Sequence, residues 1–278
     1  MQAALYAADA NRQFGRGLAR AFAGAIIFGL PILMTMEMWA LGFNVDDGKL
    51  ALLLALFFPV LVALSWHAGF EKTFSWRDDV LDALVAYAVG FVASAAILAV
   101  LGQLEGGMSA REIVGKIALQ AVPASIGALL AQSMLGDNRE DREVRGGVAS
   151  YAAELFVMGA GALFLAFNLA PTEEILLIGV RLSPLQAAML MLATLALMHA
   201  FVYGVSFTGH HGEIDRGPAW SVALRFTVPG YAIALLLCAY VLWTFGTLGG
   251  MSAAEGLNTI AVLGFPAGVG AAAARLIL

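Results

Sequence analysis

A chain of 278 residues that is 61% hydrophobic and only 13% charged cannot clothe a water-facing surface, because soluble domains carry about 25% charged residues. Its mean hydropathy of +0.85 points to a polytopic, all-α membrane protein. The net charge of −5 and the dispersed 15 Lys and Arg exclude a nucleic-acid-binding pattern, and the single Cys238 excludes both an intrachain disulfide and a cysteine-based zinc site.

Apolar runs of about 20 residues predict eight spans. They cover residues 21–42, 50–70, 80–101, 113–135, 148–170, 185–205, 220–245 and 257–278. The fifth is expected to continue as helix to about Val180. Arg12, Arg16 and Arg20 ahead of an apolar stretch resemble a signal peptide. The stretch outruns a signal core, so a span is expected instead. The positive-inside rule then sets the orientation. Arg12, Arg16, Arg20, Lys72, Arg77, Arg139, Arg142, Arg145 and Arg216 fall on one side, against Lys49, Arg111, Lys116 and Arg181 on the other. Both termini are therefore expected in the cytoplasm.

The chain also repeats itself. Gly106-Gly107-Met108-Ser109-Ala110 recurs as Gly249-Gly250-Met251-Ser252-Ala253, and 14 of 30 positions from 106 to 135 are identical at a constant offset of 143. Apolar bias alone would not preserve that turn together with Pro123/Pro266 and Gly127/Gly270. Weaker matches pair Thr35 with Thr172, Glu37 with Glu174, and His67 with His199. The expected organisation is a cytoplasmic segment (1–20), a four-helix repeat (21–135), a cytoplasmic connection (136–147) and a second four-helix repeat (148–278). Four is an even number, so the tandem repeats would be parallel, with a pseudo-twofold axis along the membrane normal.

The candidate site follows from polar groups in apolar runs, which membrane spans rarely carry without a use. Asn168, Thr172, Glu173 and Glu174 close the fifth run, and Thr35 and Glu37 occupy the matching place in the first. Glu37 is expected roughly 7–8 Å below the outer end of its helix. These are hard oxygen ligands suited to a cation or a proton, with Pro171 freeing a backbone carbonyl nearby. The bland reading is that the carboxylates reach the outer headgroups and Pro171 merely ends a helix. Glu173 carries less weight, since Met36 stands at its counterpart. His67 and His199 could relay protons or bond to neighbouring carbonyls. Arg225 could pair with Asp82 or Glu154 to lock the inner face. Lys116 and Gln120 could line an outer vestibule or snorkel. Pro123, Pro266 and Pro171 are candidate bends or hinges.

Gly29-Leu30-Pro31 with Thr35-Met36-Glu37-Met38-Trp39, then residues 168–174, then Gly264-Phe265-Pro266-Ala267 through Arg275 resemble an uncharacterised family of bacterial integral membrane proteins, a domain of unknown function. The resemblance implies a bacterial inner-membrane location and no chemistry. The residues themselves favour a transport protein, a cation channel or proton-coupled cation carrier, over an enzyme. The alternatives are a membrane-embedded enzyme acting on a lipid or small molecule, and a pH-sensing or structural membrane protein. No nucleophile motif accompanies the glutamates, and no motif asks for a cofactor. The expected partners are the lipid bilayer and a small cation or proton. The ion, any metal and the oligomeric state stay open, a homo-oligomer included.

Overall fold

The computed structural model describes residues 2–68, 76–135, 151–206 and 218–277. Among these the chain is all-helical, and eight helical segments are long and apolar enough to cross a membrane. The chain divides into two compact units, residues 1–138 and 139–278. The expected connection at 136–147, with Arg139, Arg142 and Arg145, lies outside the described residues, as do Lys72 and Arg216.

The first unit contains α1 (Gln2–Leu33), α2 (Met36–Asn44), α3 (Asp47–Ala68), α4 (Trp76–Val100) and α5 (Ala110–Leu135). The helix α5 is its hub, packed against each of the other four. It can be so because it is lined with small residues: Ala118, Ala121, Ala124 and Ala128 are all buried. Close approach replaces the hydrophobic drive that lipid cannot provide. At one close approach, a Cβ on Gly127 would collide with the carbonyl oxygen of Gly24 on α1. The helix begins with a reciprocal cap. The Ser109 backbone N–H donates to Glu112 Oε2 at 2.9 Å, and the Glu112 N–H donates to Ser109 Oγ at 3.3 Å. Each bond satisfies a donor that a helix start leaves open.

The second unit contains α6 (Tyr151–Leu169), α7 (Glu173–Arg181), α8 (Pro184–Ser206), α9 (Ala219–Val222), a π-helical turn (Ala223–Thr227), α10 (Val228–Thr244) and α11 (Ala253–Ile277). Here α11 is the hub, packed on α6, α7, α8 and α10. Gly161 and Gly270 each lie so close to the other's carbonyl oxygen that neither could carry a Cβ without displacing backbone. Ser252 and Glu255 cap α11 reciprocally, with bonds of 2.8 and 3.3 Å.

Two expectations about span boundaries are corrected. The run at 21–42 is two helices. The first reaches back to Gln2, with its membrane-spanning part at Gly15–Leu33; those 19 residues already measure about 28 Å, a full bilayer core. The second, α2, starts after that span. Likewise the fifth run does not continue as helix past Ala170: α6 stops at Leu169 and α7 restarts at Glu173. Hydropathy does not reveal the first break, because apolar residues continue on both sides; at the second, Pro171 and the Glu173-Glu174 pair mark the place.

The corner from α2 into α3 is held from α5. Arg111 donates through Nε to Asp47 Oδ1 (2.8 Å), through Nη1 to the Phe43 carbonyl (2.9 Å) and through Nη2 to the Val45 carbonyl (2.9 Å). These carbonyls lie at the end of α2, where helical acceptors are left over. Arg111→Ala should cost about 1 kcal/mol and speed amide exchange around residues 43–47. Arg111→Lys should not restore protection, since an ammonium cannot span the three acceptors.

Candidate functional site

Each unit interrupts its first apolar run with a turn, and the turn sets out the polar side chains. In the first unit, Thr35 leaves the helix with extended backbone (φ −99°, ψ 117°). Its N–H turns to the Ile32 carbonyl at 3.0 Å. The Pro31 carbonyl that the N–H would have served in an α-helix instead accepts from Thr35 Oγ1 at 2.6 Å. Trp39 Nε1 reaches back to the Leu33 carbonyl at 2.8 Å. The rerouting leaves few polar groups open to lipid, as a break near the membrane requires. Glu37 then falls in the first turn of α2, half-buried. It is therefore not one turn below the end of a continuous span. It stands at the positive end of a short helix, where a carboxylate is favoured.

The second unit makes its turn with different atoms. Pro171 has no N–H, so the i−4 carbonyl of Phe167 loses its helical donor. Pro171 ends α6 rather than bending it. Thr172 is extended (φ −74°, ψ 139°), and both its N–H (3.1 Å) and its Oγ1 (2.9 Å) donate to the Leu169 carbonyl. Glu173 and Glu174 are exposed in the first turn of α7. Asn168 donates from Nδ2 to the Phe164 carbonyl at 2.7 Å, which fixes the amide's orientation. Its Oδ1 is buried and, among the described residues, accepts no hydrogen bond.

Both short helices are seated on the hub of their own unit through a glycine. Gly42 faces the backbone of Lys116, where an added Cβ would lie 2.8 Å from Cα. Gly179 faces Thr259, where it would lie 2.7 Å from Cα. Met38 and Gly42 are the buried face of α2, and Ile175 and Gly179 that of α7. The glutamates lie off these faces.

The remaining polar candidates separate. His199 Nδ1 stands 3.3 Å from Thr227 Oγ1; the side chain of His67 lies outside the described residues. Glu154 does not pair with Arg225. It pairs with Arg275, whose Nη2 and Nε each approach Oε2 at 2.8 Å and whose guanidinium covers the Phe226 ring at 4.0 Å. Arg225 is exposed, and its backbone carbonyl accepts from Tyr151 Oη at 2.7 Å. Asp82 takes a hydrogen bond from Ser65 Oγ at 3.4 Å. Lys116 does not snorkel into open solvent. It is buried, donates to the Gln103 carbonyl at 2.9 Å and lies 4.5 Å above Phe43. With Trp39, Phe43, Gln103 and Glu105 it lines a shallow cavity of about 570 Å³, and Glu37 does not line that cavity. One turn deeper on α5, Gln120 is fully buried, and neither end of its amide finds a partner among the described residues.

Sequence reasoning missed the π-helical turn at 223–227. A signal for it exists in Pro229, which sits one turn after Arg225 and cannot donate to that residue's carbonyl. The π turn absorbs the misfit, and Tyr151 takes the released acceptor. Pro123 and Pro266 lie inside α5 and α11. Among the described residues no three of His, Cys, Asp or Glu gather as metal ligands.

A model of an integral membrane protein family matches residues 17–278 of the chain. No curated protein and no solved structure matches it.

Proposed function

We propose that this chain, which belongs to the DUF2391 family of integral membrane proteins, is a membrane transport protein for a small cation or a proton, acting as a channel or a proton-coupled carrier. The observation that carries this reading is Asn168 Oδ1, a buried amide oxygen with no donor among the described residues, one residue from the Phe167 carbonyl whose helical donor Pro171 removes. An unsatisfied buried acceptor costs about 1–3 kcal/mol, and a cation in transit would satisfy both oxygens at once. Thr172 and Glu174, with Glu173 beside it, extend the same oxygen-rich turn. Thr35 and Glu37 form the corresponding turn of the first unit.

Two tandem four-helix repeats account for the paired features: the broken first run, the Gly24/Gly127 and Gly161/Gly270 approaches, and the caps Ser109/Glu112 and Ser252/Glu255. In this reading His199 and His67 pass protons at the other ends of their helices, and Pro123 and Pro266 allow the hubs to flex. The distribution of Lys and Arg supports both termini being cytoplasmic, and the family resemblance supports a bacterial inner-membrane location.

Liposomes containing the purified protein should conduct a monovalent cation or protons. Asn168→Leu, and separately the double change Glu37→Gln with Glu174→Gln, should each lower that flux by about tenfold or more, the factor expected from losing a charge-assisted ligand. Flux unchanged in both variants would remove the site. Absence of flux for every ion tried, from correctly folded protein, would remove the class.

A further inference from the structure

A cavity in the first unit shares no residue with either broken turn. Between α3 and α4 runs a cavity of about 460 Å³, walled by Phe58, Val62 and Trp66 on α3 and by Trp76 on α4, with Asp79 among its lining residues. From position 58 to position 66 the wall extends about 12 Å along α3. Trp66 and Trp76 are 65% and 67% exposed and stand at the ends of their spans, the place where tryptophan marks the membrane–water boundary. The groove therefore runs from headgroup level into the hydrocarbon.

Its polar end is unusual. Asp79 is only 1% exposed, yet its Oδ1 has no hydrogen-bond donor among the described residues. The position near the start of α4 offsets part of the burial cost through the helix dipole, but it does not supply a donor to that oxygen. Ser65, the nearest hydroxyl on α3 by sequence, is engaged with Asp82 instead. The first turn of α4 holds Asp78 and Asp79 against Arg77, whose guanidinium lies 5.9 Å from the Trp76 ring. The charge of that turn is net negative, so an anionic headgroup is disfavoured and a cationic group is favoured. Tryptophan faces attract ammonium groups in their own right.

We propose that this groove binds a phospholipid with an ammonium headgroup, the acyl chain lying along α3 and the ammonium meeting the Asp79 carboxylate between Trp66 and Trp76. The site is independent of the transport reading, since it shares no residue with it.

The test uses the full-length protein, stripped of lipid in detergent and then exposed to micelles holding equal phosphatidylethanolamine and phosphatidylglycerol. Retained lipid is counted by native mass spectrometry. The wild type should retain phosphatidylethanolamine in excess. Asp79→Asn should reduce that retention about tenfold, the factor for losing one charge-assisted hydrogen bond, while leaving phosphatidylglycerol retention unchanged. Val62→Trp, which fills the groove from its lipid side and leaves Asp79 intact, should reduce it as well. Equal retention of the two lipids by the wild type would overturn the proposal, as would unchanged retention in Val62→Trp. Displacement of the lipid by an equal concentration of soluble phosphoethanolamine would overturn the lipid assignment in favour of a soluble amine.

Discussion

Valine in place of Gly127 should destabilise the protein by roughly 2–3 kcal/mol, read as a lower melting temperature in detergent and a loss of folded yield. The reason is local and geometric. In the first unit α5 touches every other helix, and it meets α1 where Gly127 faces the Gly24 carbonyl and the Phe28 Cβ. The obstacle to a new side chain is partly backbone, which cannot rotate aside as the end of a flexible side chain can. The helices must separate, and every small-residue contact along α1 and α5 loosens with them. Gly270→Val should behave alike in the second unit, because Gly161 carbonyl oxygen lies 2.5 Å from the position its Cβ would take. Gly106→Ala is the control: nothing lies within 4 Å of its added methyl group, so the melting temperature should not move.

Arg275→Leu should be still more costly, about 3 kcal/mol or more. Glu154 and Arg275 have side chains only 20% and 8% exposed, and their helices are both membrane spans. Removing the cation strands a carboxylate with little water to turn to, and it also uncovers the face of Phe226. The double change Glu154→Leu with Arg275→Leu should recover much of the loss, because two apolar groups leave no orphan charge. A double-mutant cycle in thermal stability therefore separates an ion pair from simple packing: strong non-additivity is expected, and additive losses would show that the pair contributes little.

The polar candidates illustrate what could be read from residue order and what could not. Glu154 was visible as a carboxylate that needed a partner, but Arg225 and Arg275 are equally basic on paper. The fold settles the matter, since Arg275 comes over Glu154 from α11 while Arg225 stays exposed. Lys116 and Gln120 are spaced i, i+4 on a helix whose burial is set by four neighbours. Their apolar surroundings gave no hint that one would be held by the Gln103 carbonyl and a ring, and the other left without partners among the described residues. Asp79 was one of several acidic residues at a span boundary. Only the packing of α4 among its neighbours buries it.

What the order of residues determined by itself is the class and the count of spans. The free energy of moving apolar side chains into hydrocarbon depends on composition over a window of about 20 residues, and eight such windows are present. The Ser-x-x-Glu caps were equally local, as both partners lie within one turn. The tertiary structure decided where helices stop. Residues 34–35 lie between apolar residues, so hydropathy does not register that stop, whereas Pro171 and the Glu173-Glu174 pair do mark the second. The breaks exist because Thr35, Trp39 and Thr172 reroute backbone hydrogen bonds and because Gly42 and Gly179 let the restarted helices settle onto α5 and α11. The hydrogen bonds are local, but the glycine contacts join distant parts of the chain. They turn Glu37, Glu173 and Glu174 from residues buried along a span into residues on the first turn of a short helix.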